Sequence, residues 1–336
     1  MRLGGMQLSE RVQFFRELAT MVDSGMSLGM SLSTLENRPG SLELRLAVHD
    51  CAVKVSHGKR FSEAMRDHPK VFTELNVALV AAGEEGGHLD EILNSIADYL
   101  DRDLEFQQTI SRETFYPKVL LAAIVFIPLG TRMLIAGISG SMGAALLIGL
   151  KFMAGVALFV MLPAYLLYLA YKRYYATETG RLAIDRFKLH VPLLGTIITK
   201  LAWTRMCRAL SALYGAGVTL RSAVTVAAET SGNRVFEKAL MSTVPALERG
   251  EKLSDALAKT GQIPPLAMNM LRTGEETGGI DFTLLKVADY YEAEANATIK
   301  KLTILIVPVC VIVAGIAVVI QMVQFYGGYF GSMMGE

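Results

Sequence analysis

The sequence is poor in most of what catalysis or extracellular folding needs. Cysteine occurs three times, as Cys51, Cys207 and Cys310, and no pair has C-x-x-C spacing. The five histidines do not gather near them. This argues against a disulfide framework or a zinc site and fits a reducing cytoplasm. Charged residues make up only 19%, with a net charge of +1, so no bulk field attracts nucleic acid. No G-x-x-x-x-G-K-(S/T) loop is present, so any use of ATP belongs to a partner. No H-E-x-x-H occurs. The G-x-S-x-G match at Gly25-Met26-Ser27-Leu28-Gly29 follows a helical pattern, whereas a nucleophile elbow needs a strand before it. No stretch sustains strand alternation. Residues Met1 to Glu10 lack an apolar core, so no signal peptide is expected and the N-terminus is assigned to the cytoplasm.

Apolar residues are what the chain has in excess: 52% are hydrophobic and mean hydropathy is +0.37. Uncharged runs predict three transmembrane helices, at about 116–136, 147–171 and 303–325. Arg112, Lys118, Lys172, Arg173, Lys300 and Lys301 flank these runs, and the Ser139–Gly143 turn carries no lysine or arginine. The positive-inside rule then puts that turn and the C-terminus outside. Arg132 and Lys151 fall near the outer ends of the first two spans. They either snorkel to the interface or contact a partner helix within the membrane.

Outside the runs the periodicity is helical. Helices are predicted at 9–24, 28–36, 42–56, 61–67 and 73–82, then beyond Asp90, which is placed as an N-cap. The fold expected is an all-α membrane protein. Residues 1–114 form a first cytoplasmic bundle of about six helices, and 115–171 two spans with a short outer turn. Residues 172–301 form a second such bundle, and 302–336 the third span with a short outer tail.

One acidic-glycine stretch occurs twice: Gly83-Glu84-Glu85-Gly86-Gly87-His88-Leu89-Asp90, and Gly274-Glu275-Glu276-Thr277-Gly278-Gly279-Ile280-Asp281. Around it, Arg16-x-Leu18 matches Arg208-x-Leu210, and Ser62-Glu63-Ala64 matches Ser254-Asp255-Ala256, at an offset of 192. Past one deletion the offset becomes 191. It then relates the motif copies, Asp98 to Asp289, and Pro117 to Pro308. The repeat therefore comprises a bundle and the span after it, and an odd inserted span keeps both bundles at one membrane face. Three readings of the glutamate pairs stay open: a cation site, a turn in which the glycines end a helix and the acids face solvent or the next helix's N-terminus, and docking of partner arginines. Pro117 and Pro308 sit where a bundle helix enters the bilayer, as a helix kink or restart or as a hinge.

The doubled motif, the two related bundles and Tyr116-Pro117 at the first membrane boundary resemble the type II secretion system F family (GspF/PilC), over about residues 10 to 326. That resemblance implies an inner-membrane platform protein of type II secretion or type IV pilus machines, without catalysis or cofactor. Its implied partners are a cytoplasmic hexameric assembly ATPase, pilin or pseudopilin subunits, other inner-membrane assembly proteins, the bilayer and further copies of itself. A competence pseudopilus platform is an alternative machine. A small transporter is an alternative class, since transporters also carry repeats, but three spans leave little room for a midplane cavity.

Overall fold

A computed structural model describes residues 8–36, 40–120, 162–175 and 177–334, with isolated positions between 121 and 161. Every regular element among the described residues is a helix. Six come before the first predicted span: α1 (Leu8–Asp23), α2 (Leu28–Leu35), α3 (Leu42–Ser56), α4 (Phe61–Arg66), α5 (Glu74–Gly86) and α6 (Leu89–Glu113). After it come α7 (Leu162–Tyr175), α8 (Glu178–His190), α9 (Leu194–Gly215), α10 (Leu220–Thr230) and α11 (Arg234–Met241). The last four are α12 (Val244–Glu248), α13 (Leu253–Ala258), α14 (Pro265–Thr277) and α15 (Ile280–Met334).

The chain divides into two compact units, one of residues 1–108 with 188–295 and one of 109–187 with 296–336. In the first unit a single apolar core runs through both helical sets. Phe15, Leu18, Phe61, Phe72 and Leu93 come from the first set, and Met206, Leu213 and Leu240 from the second, all essentially inaccessible to water. Full burial of one such side chain is worth about 1.5–3 kcal/mol, so the shared core is the main force joining the sets. Helix α5 packs on both α9 and α10.

Local chemistry sets the helix ends. Ser41 caps α3 by accepting from the Leu44 N–H, and Asn233 caps α11 through the Val235 N–H. These caps are 192 residues apart. From there the two stretches diverge. Residues 42–56 form one helix, while 234–248 are split into α11 and α12. Pro245 stands at the start of α12, where a missing N–H costs nothing. Inside a continuous helix the same proline would remove a hydrogen bond.

In the second unit, α15 includes a stretch long and apolar enough to cross a membrane, with a mean hydropathy of 2.3 and only 11% buried. Ile304, Leu305, Val309 and Ile312 are all more than half exposed. In water such a helix would be an aggregation hazard, whereas lipid tails match it. The first two predicted spans, 116–136 and 147–171, fall mostly outside the described residues, as do Arg132 and the 139–143 turn apart from Gly143. Lys151 is helical and exposed. Pro117 is buried, three residues past the turn at Thr114 that ends α6, so the chain restarts a helix there. Pro308 instead lies inside uninterrupted α15. The matched prolines therefore occupy different local structures. The Thr303 hydroxyl, five residues before Pro308, donates to the Glu113 carbonyl at 3.3 Å.

Candidate functional site: the two acidic-glycine corners

Helix α4 begins without a cap of its own. Its N-cap is Arg60, which makes no side-chain capping bond, and the first N–H groups of any helix have no partner within it. Glu84 supplies the partner. Its carboxylate accepts from the N–H groups of Phe61 (2.5 Å) and Ser62 (3.3 Å) and from the Ser62 hydroxyl (2.5 Å). The second copy repeats the arrangement. Helix α13 starts after Lys252, again with no side-chain capping bond. Glu275 accepts from the Ser254 N–H at 3.1 Å and from the Ser254 hydroxyl.

The glutamates lie in the last turn of the helices that carry them. Helix α5 runs on through Glu84 and Glu85 to Gly86, and α14 through Glu275 and Glu276 to Thr277. A carboxylate at a helix C-terminus meets the negative end of the dipole, which disfavours it. The positive N-terminus of α4 or α13 offsets that cost for the first acid of each pair. The helix that receives the carboxylate is thus the earlier neighbour, whereas the sequence pointed to solvent or the following helix.

The glycines have separate tasks. Gly87 (φ +72°) and Gly278 (φ +78°) are left-handed C-caps, a conformation that L side chains resist. The His88 N–H closes back on the Gly83 carbonyl at 3.1 Å. Gly83 and Gly274 are buried where the next helix crosses. A Cβ on Gly83 would stand 2.9 Å from Ile92 Cγ1 and 3.2 Å from Leu89 Cα. One on Gly274 would meet the Thr283 hydroxyl and stand 3.1 Å from Ile280 Cα. Asp90 and Asp281 lie one residue inside α6 and α15, in the first turn, so neither is the N-cap. They still favour the positive helix end.

The second acid of each pair points elsewhere. Glu85 and Glu276 are exposed, and Glu85 has only a loose contact with Arg60, at 3.4 Å between two solvated side chains. The two carboxylates of a pair diverge, and among the described residues no group of three or more His, Cys, Asp or Glu is arranged to hold a metal ion.

A second doubled contact fixes the long helices behind these corners. Arg16 on α1 pairs with Asp98 (2.8 Å) and Asp101 on α6. Arg208 on α9 pairs with Asp289 (3.5 Å) and Glu292 on α15. The Arg208 side chain is 8% exposed and that of Arg16 is 42%. Asp289 also receives Arg102 of α6 at 3.1 Å, an ion pair that joins the two helical sets. Around it lies a cleft of about 670 Å³ lined by Asp98, Arg102, Arg208 and Phe282. His88 and Asp281, one from each motif copy, line the same cleft.

Sequence matching found Arg16, Arg208, Asp98 and Asp289 but missed the acceptors Asp101 and Glu292, the bridging Arg102, and the serines Ser62 and Ser254 as ligands of the glutamates. A signal existed: serine and glutamate recur together at nearly the same separation. Cys51 and Cys207 are buried, and burial pushes both thiols up to about 12. They stay protonated at neutral pH and make poor nucleophiles.

Helical sets stapled by paired corners, with one helix long and apolar enough to cross a membrane, place the described residues in an all-α class. Sequence comparison gives the family. The family profile for type II secretion system (T2SS) protein F matches residues 14–136 and again 206–327, and the chain belongs to that family. It is 34% identical over 326 residues to the type IV pilus assembly protein PilC of Thermus thermophilus, covering 94% of this chain and 80% of the relative. It is 30% identical over 310 residues to type II secretion system protein F of Xanthomonas campestris, covering 88% and 76%. With PilC of Pseudomonas aeruginosa it shares 28% over 336 residues, covering 96% and 90%.

Proposed function

We propose that the protein is the inner-membrane platform of a type IV pilus or type II secretion machine. It couples a cytoplasmic assembly ATPase to the polymerisation of pilin or pseudopilin. Membership of the protein F family, with relatives named for both machines, is the observation that carries this reading. The chain itself is a scaffold without catalysis. It crosses the membrane three times, with the bundles at residues 1–114 and 172–301 on the cytoplasmic side and a short C-terminal tail outside. It self-associates and contacts other inner-membrane assembly proteins.

Within this reading the two acids of each motif divide the work. Glu84 and Glu275 hold the corner together. Glu85 and Glu276, which face solvent, dock arginines of the ATPase. Pro117 and Pro308 are the points at which bundle motion reaches the spans, and Lys151 and Arg132 lie towards the outer side.

Two measurements test this. A cysteine placed at Ser141 is expected to react with a membrane-impermeant reagent in intact cells; reaction only after lysis overturns the topology. The purified protein is expected to hydrolyse no ATP; turnover that disappears with a point change in this chain overturns the scaffold reading.

A further inference from the structure

Helix α3 is apolar on two faces. The inner face, with Ala47, Val48, Cys51 and Ala52, is part of the core. On the outer face, Leu42 is 64% exposed, Leu46 58% and Val53 42%, with Met30 of α2 also exposed at 61%. A patch of this kind on a small helical set needs an explanation.

The chain contains its own control. Positions 192 residues further on hold the same cap and the same helical start, but Leu42 is matched by Arg234, Leu46 by Lys238, Val53 by Pro245 and Met30 by Ser222. Of the inner positions, Ala47, Val48 and Ala52 are matched by Ala239, Leu240 and Val244, with Val48 and Leu240 both buried, and Cys51 by the buried Thr243. The fold therefore accepts charge on the outer face, and the leucines of α3 are not there to satisfy the core.

We propose that this face of α3 is the contact between two copies of the chain, packed as an antiparallel helix pair. The exposed positions 42, 46, 49 and 53 follow a 4-3-4 spacing, which is the seam of a two-helix contact. A two-fold axis between Leu46 and His49 sets Leu42 against Val53 of the other copy and Leu46 against His49. It also sets Arg45 against Asp50, twice. Arg45 is exposed and has no ion-pair partner among the described residues. Asp50 keeps part of its carboxylate in solvent while holding Lys54 and His68 on its own chain. His49, which contacts Glu36 of its own chain at 3.0 Å, keeps most of its side chain exposed on the seam. The surface thus offers its own complement in charge, as an isologous interface requires. The proposal deepens the self-association given above and does not depend on the ATPase reading.

The test uses the full-length protein in detergent, with mass measured by light scattering over a range of concentration. The wild type is expected to exceed monomer mass. Leu46→Lys, which introduces the residue type found at position 238, is expected to weaken association at least tenfold with an unchanged melting temperature. Lys238→Leu is expected to leave association unchanged. Co-expressed Leu42→Cys and Val53→Cys copies are expected to cross-link to each other through a short bismaleimide, even if Leu46→Lys misfolds. A wild type that is monomeric throughout overturns both the self-association and this face. An oligomeric wild type that Leu46→Lys leaves intact overturns the face alone. Cross-linking of Leu42→Cys to itself, without the mixed product, overturns the antiparallel pairing.

Discussion

Glu84 and Ser62 are 22 residues apart in sequence and joined through both the N–H and the hydroxyl of the serine. Glu275 and Ser254 make the same contact at a separation of 21. Each carboxylate ties the last turn of one helix to the first turn of another and so closes a corner. Loss of that acceptor leaves helix N–H groups unpaired in a half-buried place. Glu84→Ala and Glu275→Ala are therefore expected to cost about 1–3 kcal/mol each. Glu85→Lys and Glu276→Lys, in solvent, are expected to cost under ~1 kcal/mol. Thermal unfolding of the four variants in one detergent checks the split.

Gly83 and Gly274 fail for different reasons when given a methyl group. At Gly83 the obstacle is Ile92 and the α6 backbone, and at Gly274 it is the Thr283 hydroxyl and the α15 backbone. Overpacking of this kind costs about 1–3 kcal/mol. Removing the hydroxyl relieves only the second clash. Gly274→Ala is thus expected to recover part of its lost stability when combined with Thr283→Ala. A double-mutant cycle measures the recovery, and Gly83→Ala combined with the same Thr283 change is expected to show none.

The matched arginines are not energetically equal. Arg208 is nearly buried, and its removal leaves the half-buried Glu292 without its arginine, while Asp289 keeps Arg102. Arg16 and its acids are well solvated. Breaking a buried pair from one side costs about 3–5 kcal/mol, and an exposed one under ~1 kcal/mol. Arg208→Ala is expected to destabilise the fold severely and Arg16→Ala mildly, as read from melting temperatures.

Glu229 gives the stability a pH dependence of defined sign. Its carboxyl is held above the usual 4.5, first by burial and then by Glu74 and Glu237, against the opposing pull of Arg234. A raised folded value means that the group's contribution is fully present below its unfolded pKa and is lost as pH rises through the folded one. Glu229→Gln is expected to raise the melting temperature at pH 7–8 and to bring no gain below about pH 4.5. The group is largely solvated, so the gain is under ~1 kcal/mol. Melting curves at the two pH values decide it.

Much of the fold was legible because its signals are local. Gly40, Gly58 and Pro69 fall between the helices of the first set, and the predicted ends fall within a few residues of those of α1 to α4. The corner was legible only in part. Its glycines are recognisable at a helix end, but α5 runs four residues past its predicted end at 82, taking both acids with it. The Glu84–Ser62 bond depends on how α4 packs beside α5, which no helical period encodes. Asp90 looked like an N-cap because acids favour that position, yet an acid one residue inside the helix meets the same dipole. The identity of Arg102 as a bridge depends on the packing of the two helical sets and had no counterpart 191 residues on, where Ala293 stands.

The division of each acidic pair into a structural and a docking residue is tested most directly by binding. Full-length wild type and the Glu85→Lys/Glu276→Lys double variant would be titrated with the purified assembly ATPase of the same machine, with melting temperatures measured in parallel. The account predicts that the wild type binds and that the double variant binds at least tenfold more weakly (about 1.4 kcal/mol) while melting at the wild-type temperature. Undiminished binding by the double variant, or no binding by the wild type, would contradict it.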